Sequence, residues 1–164
     1  MGHFKPIRFI IDIYKAKKPT DKSSMDFVWL KQEILKVNTA FYERVYKHPW
    51  MSKVFRKVPQ EHITAQQTDF ILGALGGPKI YCGRWPTDAH PHIFVDQEMW
   101  DLRGRFLKEA LDEVKFPPDL ALKWIRIDEG FKRAIMKNSL ADCQKRFFSD
   151  EIIYEPNTAT KKAA

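Results

Sequence analysis

Three residues in this chain combine a reactive type with a telling position: His90, Tyr42 and Gln67. A helical pattern runs into Ala74-Leu75-Gly76-Gly77-Pro78, and His90 follows twelve residues beyond the proline. The paired glycines stop a helix and permit positive φ, and the proline prevents a restart. A loop carrying Tyr81 and Arg84 then leads to His90, just ahead of a new amphipathic run. An imidazole delivered on a short, fixed segment opposite an apolar helix face is suited to holding a haem iron. Upstream, Gln67 lies four residues after Ile63 and four before Ile71, so it faces inward with them. A buried amide left unpaired costs about 1–3 kcal/mol. Gln67 therefore either bonds nearby backbone or meets a polar ligand. Tyr42 carries the same two readings: a core tyrosine with a backbone partner, or a hydroxyl aimed at a ligand.

The elements that must position these residues are helical. Phe27, Leu30, Ile34, Val37, Phe41 and Val45 recur at three- and four-residue spacing, which predicts a helix of roughly 20 residues from Asp26 to His48-Pro49. Residues 50–55 read as an aromatic-rich single turn. Pro59 opens a second helix that runs to about Ala74, with Ile63, Gln67, Phe70, Ile71 and Ala74 as its inner face. Asp96 is placed to cap a third helix whose stripe is Met99, Leu102, Phe106, Leu107, Ala110, Leu111 and Val114. Pro117-Pro118 separates it from a last helix with Leu120, Trp124, Ile127, Phe131, Ala134 and Ile135 inward. No hairpin signal and no internal repeat is present, so the fold class is all-α. Residues 1–24 read as an N-terminal extension, with an apolar patch over 7–14 and a lysine-rich linker. Residues 25–148 form one domain, and 149–164 read as a polar, disordered tail.

Composition narrows the function classes. The 164 residues, 44% of them hydrophobic, suit one domain with a modest core. Twelve Phe, five Tyr and five Trp call for a large apolar interior or a flat ligand to line. The net charge of +7 sits partly in the two ends, and along the helices basic and acidic residues mix. No nucleic-acid fold signature accompanies it, so nucleic acid is not an expected partner. Two cysteines, Cys82 and Cys143, are too few for a disulfide framework and suit a reduced, cytoplasmic protein. No apolar run approaches the ~20 residues of a transmembrane helix, and no signal-peptide cleavage site is evident. His90-Pro91-His92 with Cys82 fits no standard zinc spacing and lacks a fourth ligand.

Taken together, Tyr42, Gln67, the Gly-Gly-Pro stop and His90 resemble the truncated haemoglobin family, the short globins with a 2-on-2 helical sandwich. The resemblance runs from about Asp26 to Ser139 and is closest to the family's first group. It is carried by Phe41-Tyr42 with Arg44-Val45, Phe55, Gln67 with Phe70-Ile71, residues 74–78 with Tyr81 and Gly83, and His90 with Val95-Asp96 and Trp100. The resemblance implies haem b as cofactor, with His90 as proximal iron ligand. It implies Tyr42 and Gln67 as distal hydrogen-bond donors to O2, NO or CO. Phe55, Ile63, Phe70, Ile71 and Trp100 would line the haem, with Tyr81 and Arg84 near its propionates. His62, at the distal edge, is a candidate sixth ligand. Conversion of NO to nitrate would need a separate reductase, since the chain has no flavin or nicotinamide motif; gas carriage or sensing would not. Two departures stand out. The usual glycine pair between the first family helices is missing. Arg103 also stands where the family has an apolar residue or tryptophan, and it either turns outward or reaches a propionate. The rival reading is a haem-free helical interaction module with a basic docking arm.

Overall fold

A computed structural model describes residues 26–159. The extension expected over 1–24 lies outside the described residues. The helices are α1 (Phe27–Lys47), α2 (Met51–Val54), α3 (Gln60–Ala74), α4 (Pro86–Ala89), α5 (Gln97–Val114) and α6 (Pro118–Ile135), followed by a 3-10 turn at Leu140–Asp142. Among the described residues there is no strand, only an isolated parallel bridge between Ile93 and Ile153. No helix among them is long and apolar enough to cross a membrane.

Local chemistry sets the helix ends. The Asp26 carboxylate accepts from the backbone N–H groups of Val28 and Trp29 at 2.9 and 3.1 Å and so starts α1. Asp96 does the same for α5 through Met99 N–H at 2.8 Å. Pro118 occupies the first turn of α6, where its missing N–H costs nothing. The end of α3 is a Schellman motif. Gly77 N–H donates to Leu72 O at 2.9 Å and Gly76 N–H to Gly73 O at 3.2 Å, with Gly76 at φ 99°. A Cβ on Gly77 would lie 2.7 Å from Leu72 Cδ1 and 2.8 Å from the Leu72 carbonyl oxygen. The second of these is backbone and cannot swing aside. Gly77→Ala is therefore expected to lower stability by about 1–3 kcal/mol, read as a lower urea midpoint at unchanged slope.

The sandwich is built around α1, which packs on both α3 and α5. It buries Leu30, Ile34, Val37, Phe41 and Val45 as the periodicity predicts. Between them lies Asn38, 1% exposed, whose Nδ2 donates to Thr68 Oγ1 at 3.1 Å. Thr68 in turn donates to Thr64 O at 2.8 Å. This pair shifts the buried face of α3 from the predicted row. Thr64, Thr68, Ile71 and Leu72 turn toward the core, and Ala74 is exposed. Threonines can serve there because each hydroxyl is satisfied by the carbonyl one turn back. Ile63, Gln67 and Phe70 lie on the adjoining row, half-buried, where a cavity opens.

The segment after α6 differs most from expectation. The sequence reads as a polar tail beyond Ser149, yet residues 137–155 form a strap laced onto the loop that follows His90. Lys137 N–H donates to Val95 O at 2.9 Å, Gln144 N–H to Pro91 O at 2.8 Å, and Ile153 N–H to His92 O at 2.8 Å. Phe94 N–H returns a bond to Ile153 O at 2.9 Å. On its other side the strap meets α2 and its flank. Trp50 Nε1–H donates to Glu155 O at 2.7 Å, Lys57 pairs with Glu151 at 2.5 Å, and Arg56 pairs with Glu155. The apolar run Ile152-Ile153-Tyr154 explains the docking. Ile153 packs against the core, and Tyr154 lies edge-on to Phe94 with centroids 5.3 Å apart.

Candidate functional site

A cavity of about 820 Å³ opens between α1, α3, α5 and α6 and reaches the strap. Pockets that enclose cofactors span roughly 300–1,000 Å³. Every residue singled out from the sequence lines it: His90, Tyr42, Gln67, Phe55, Ile63, Phe70, Ile71, Tyr81, Arg84, Trp100 and His62.

His90 is set by its local fold. Residues 86–89, an irregular loop on sequence grounds, form the one-turn helix α4 against α6, and His90 caps its end. The His90 ring bonds through Nδ1 to the Pro86 carbonyl at 2.6 Å. A carbonyl only accepts, so Nδ1 carries the proton and Nε2 keeps its lone pair. Burial lowers the His90 pKa to about 4, against a partly opposing pull from the Pro86 bond, and the charges of Arg103 and Lys137 add to the lowering. At neutral pH the ring is thus neutral, with Nε2 as its open nitrogen. That is the state in which imidazole ligates a metal.

Tyr42 and Gln67 enter the cavity from α1 and α3, elements other than the one that ends at His90. Tyr42 is 5% exposed and is gripped edge-on by Phe41 and Phe55, at 4.8 and 6.0 Å between centroids. Burial pushes its phenol well above the ordinary range, with Arg103 opposing, which favours the protonated, donating form. Among the described residues neither the Tyr42 hydroxyl nor the Gln67 amide has a hydrogen-bond partner. The backbone partners that would have made them ordinary core residues are not used.

The remaining lining sorts into apolar walls and a charged edge. Phe70 packs edge-on to Tyr81 and Trp85 at 5.3 and 5.9 Å and beside Phe131 at 6.0 Å. Trp100, 3% exposed, directs its indole N–H to Glu129 at 3.4 Å. Tyr81 donates its hydroxyl hydrogen to the Arg84 carbonyl at 2.6 Å, so that hydrogen is committed within the loop. Arg84, exposed at the rim, lies over the Phe147 ring at 4.5 Å. His62 is exposed in the first turn of α3.

Three further residues line the cavity in ways the sequence did not assign. Arg103 does not turn outward; it pairs with Asp128 in the cavity wall at 2.5 Å. Arg146 pairs with Asp150 at 2.8 Å and also reaches the Ala89 carbonyl at 3.4 Å. His92 is buried, and its Nδ1 has no hydrogen-bond partner. Burial and the nearby Arg146 charge lower its pKa. Arg146 is brought in by the strap, so only the strap's docking could have revealed it, whereas His92 follows His90 on the loop to which the strap is fastened.

The residues present fit a haem. One neutral imidazole offers a metal-binding nitrogen, two unpartnered donors come from other helices, the walls are aromatic, and cationic side chains stand at the edge for carboxylates. Residues 24–138 match the family model described as bacterial-like globin. Over 74 residues the chain is 40% identical to a group 1 truncated hemoglobin of Tetrahymena pyriformis and 30% identical to one of Tetrahymena thermophila. Each match covers 45% of this chain and 61% of the relative, so less than two thirds of either relative is spanned. The family match, in contrast, takes in all six helices and ends just after α6. The chain belongs to the bacterial-like globin family, among the truncated globins.

Proposed function

We propose that this chain binds haem b in the cavity between α1, α3, α5 and α6 and reversibly binds a small diatomic gas there. Haem, when bound, supplies an iron that accepts O2, NO or CO. The observation that carries the reading is the pairing of His90, locked through Nδ1 with Nε2 open, with two polar side chains in the same cavity that lack protein partners.

Each residue has a definable task. His90 would hold the iron through Nε2, and the Pro86 carbonyl fixes the tautomer and the ring orientation. Tyr42 O–H and Gln67 N–H would be the donors available to a bound gas, and in a dry pocket such donors act strongly on a ligand that carries partial negative charge. Phe55, Ile63, Phe70, Ile71 and Trp100 exclude water. Arg84, Lys57 and Arg146 offer charge to the propionates, with Tyr81 shaping the loop between them. His62 stands close enough to the rim to compete as a sixth ligand after a small shift of α3. Conversion of NO and O2 to nitrate is the finer reading, and it requires a separate reductase. A cytoplasmic location suits such a partner.

Haem titration of the purified full chain tests the proposal. We expect one equivalent to bind with an absorption band near ~400 nm, and the ferrous protein to shift that band on adding CO. A chain that leaves added haem unbound would refute the reading and favour the haem-free interaction module.

A further inference from the structure

A charged pair sits in the wall of the cavity. Arg103 projects from α5 and meets Asp128 of α6 through two parallel bonds, Nη1 to Oδ2 at 2.5 Å and Nη2 to Oδ1 at 2.6 Å. The side chains keep 26% and 14% of their surface, and both line the cavity. The guanidinium lies 5.6 Å from the Phe41 ring and 5.3 Å from that of Trp100. Phe41 is the ring set edge-on to Tyr42 at 4.8 Å, so guanidinium, phenyl and phenol form one continuous wall.

Two features make this more than a tie between α5 and α6. A guanidinium has five N–H donors; Asp128 takes two, and among the described residues no other hydrogen bond from Arg103 is made. The field of the pair is also lopsided. At Tyr42 the pull of Arg103 outweighs the opposing push of Asp128. The guanidinium, next to Phe41 and through it to Tyr42, is therefore the stronger of the two charges on that side of the pocket. Burial opposes the guanidinium's own charge, but Asp128 more than restores it, so the charge is permanent.

We propose that Arg103 makes this cavity selective for small anions as iron ligands, its uncommitted N–H groups acting beside Tyr42 and Gln67. The inference rests on haem occupying the cavity. Charge-assisted hydrogen bonds contribute more than neutral ones, and a neutral ligand gains little from a guanidinium.

The test is equilibrium fluoride binding by the ferric haem-loaded full chain, followed by its visible spectrum, with CO binding by the ferrous form as the neutral reference. Arg103→Leu is expected to weaken fluoride about tenfold or more and leave CO affinity unchanged. Asp128→Asn is expected to do the opposite, strengthening fluoride, because it removes the counter-charge and keeps an acceptor for the guanidinium. A purely structural tie predicts that both variants move fluoride and CO in the same direction, and that result would overturn the proposal. Arg103→Leu strands a carboxylate in the wall, so Arg103→Leu with Asp128→Asn is measured as well. Wild-type fluoride affinity in that double variant also overturns the proposal. A wild-type chain without a haem band would defeat the haem reading and this inference together. A normal band with fluoride affinity indifferent to Arg103 defeats this inference alone.

Discussion

Replacing His90 by glycine is expected to lower haem affinity by more than about 100-fold, and free imidazole is expected to restore part of the haem spectrum. Loss of a residue that merely orients a metal ligand already costs about 10–100-fold, and here the ligand itself is removed. Rescue is expected because the deletion leaves a hole of imidazole size beside the Pro86 carbonyl, the acceptor that held Nδ1 at 2.6 Å. The measurement is haem transfer to a competing apoglobin, with and without imidazole. Fold loss gives a different pattern: the far-ultraviolet helix signal falls and imidazole restores nothing. Unchanged haem transfer with an intact helix signal would show that the iron is held by another residue. His62 is then the candidate to remove next.

The second large effect concerns gas release. Tyr42→Phe combined with Gln67→Leu is expected to speed O2 dissociation from the haem-loaded chain by about a hundredfold or more. Each lost donor removes about 1.5–3 kcal/mol where the acceptor is strongly polarised, and 1.4 kcal/mol is a factor of ten. CO carries less negative charge than O2 and should change far less, which separates lost hydrogen bonds from a merely widened pocket. Tyr42→Phe keeps the ring that packs edge-on against Phe41 and Phe55, so the wall survives the substitution. Stopped-flow displacement of O2 by CO measures the rate. An unchanged rate would mean that neither side chain reaches the gas, and the two would then be core residues after all.

The helices were legible because their signals are local. Asp26 and Asp96 cap, Pro118 starts, and Gly76-Gly77 stops a helix, each through bonds to residues a few places away. The buried row of α3 was less legible, since Thr68 earns its place from Asn38, thirty residues earlier on another helix. Hydropathy assigns both to the surface, and only their mutual bond makes burial tolerable. Arg103 is the same case in the pocket. Its partner Asp128 is twenty-five residues on, and no periodicity links them. The sequence placed His90, Tyr42 and Gln67 at informative spacings. That they line one cavity, and that His90 is oriented through Pro86, depends on the one-turn helix at residues 86–89, too short to leave a periodic trace.

The strap gives the pocket a history as well as a shape. Protein synthesis runs from the N-terminus, at about 5–20 residues per second, and domains begin to fold as they emerge. α1, α3 and the His90 loop are therefore made before residues 137–155, which later fasten that loop through Val95, Pro91 and His92. Until Ile153 and Glu155 emerge, the side of the pocket that carries Arg146 does not exist. Residues 137–155 thus complete one wall of the pocket after the helices that form the others have been made.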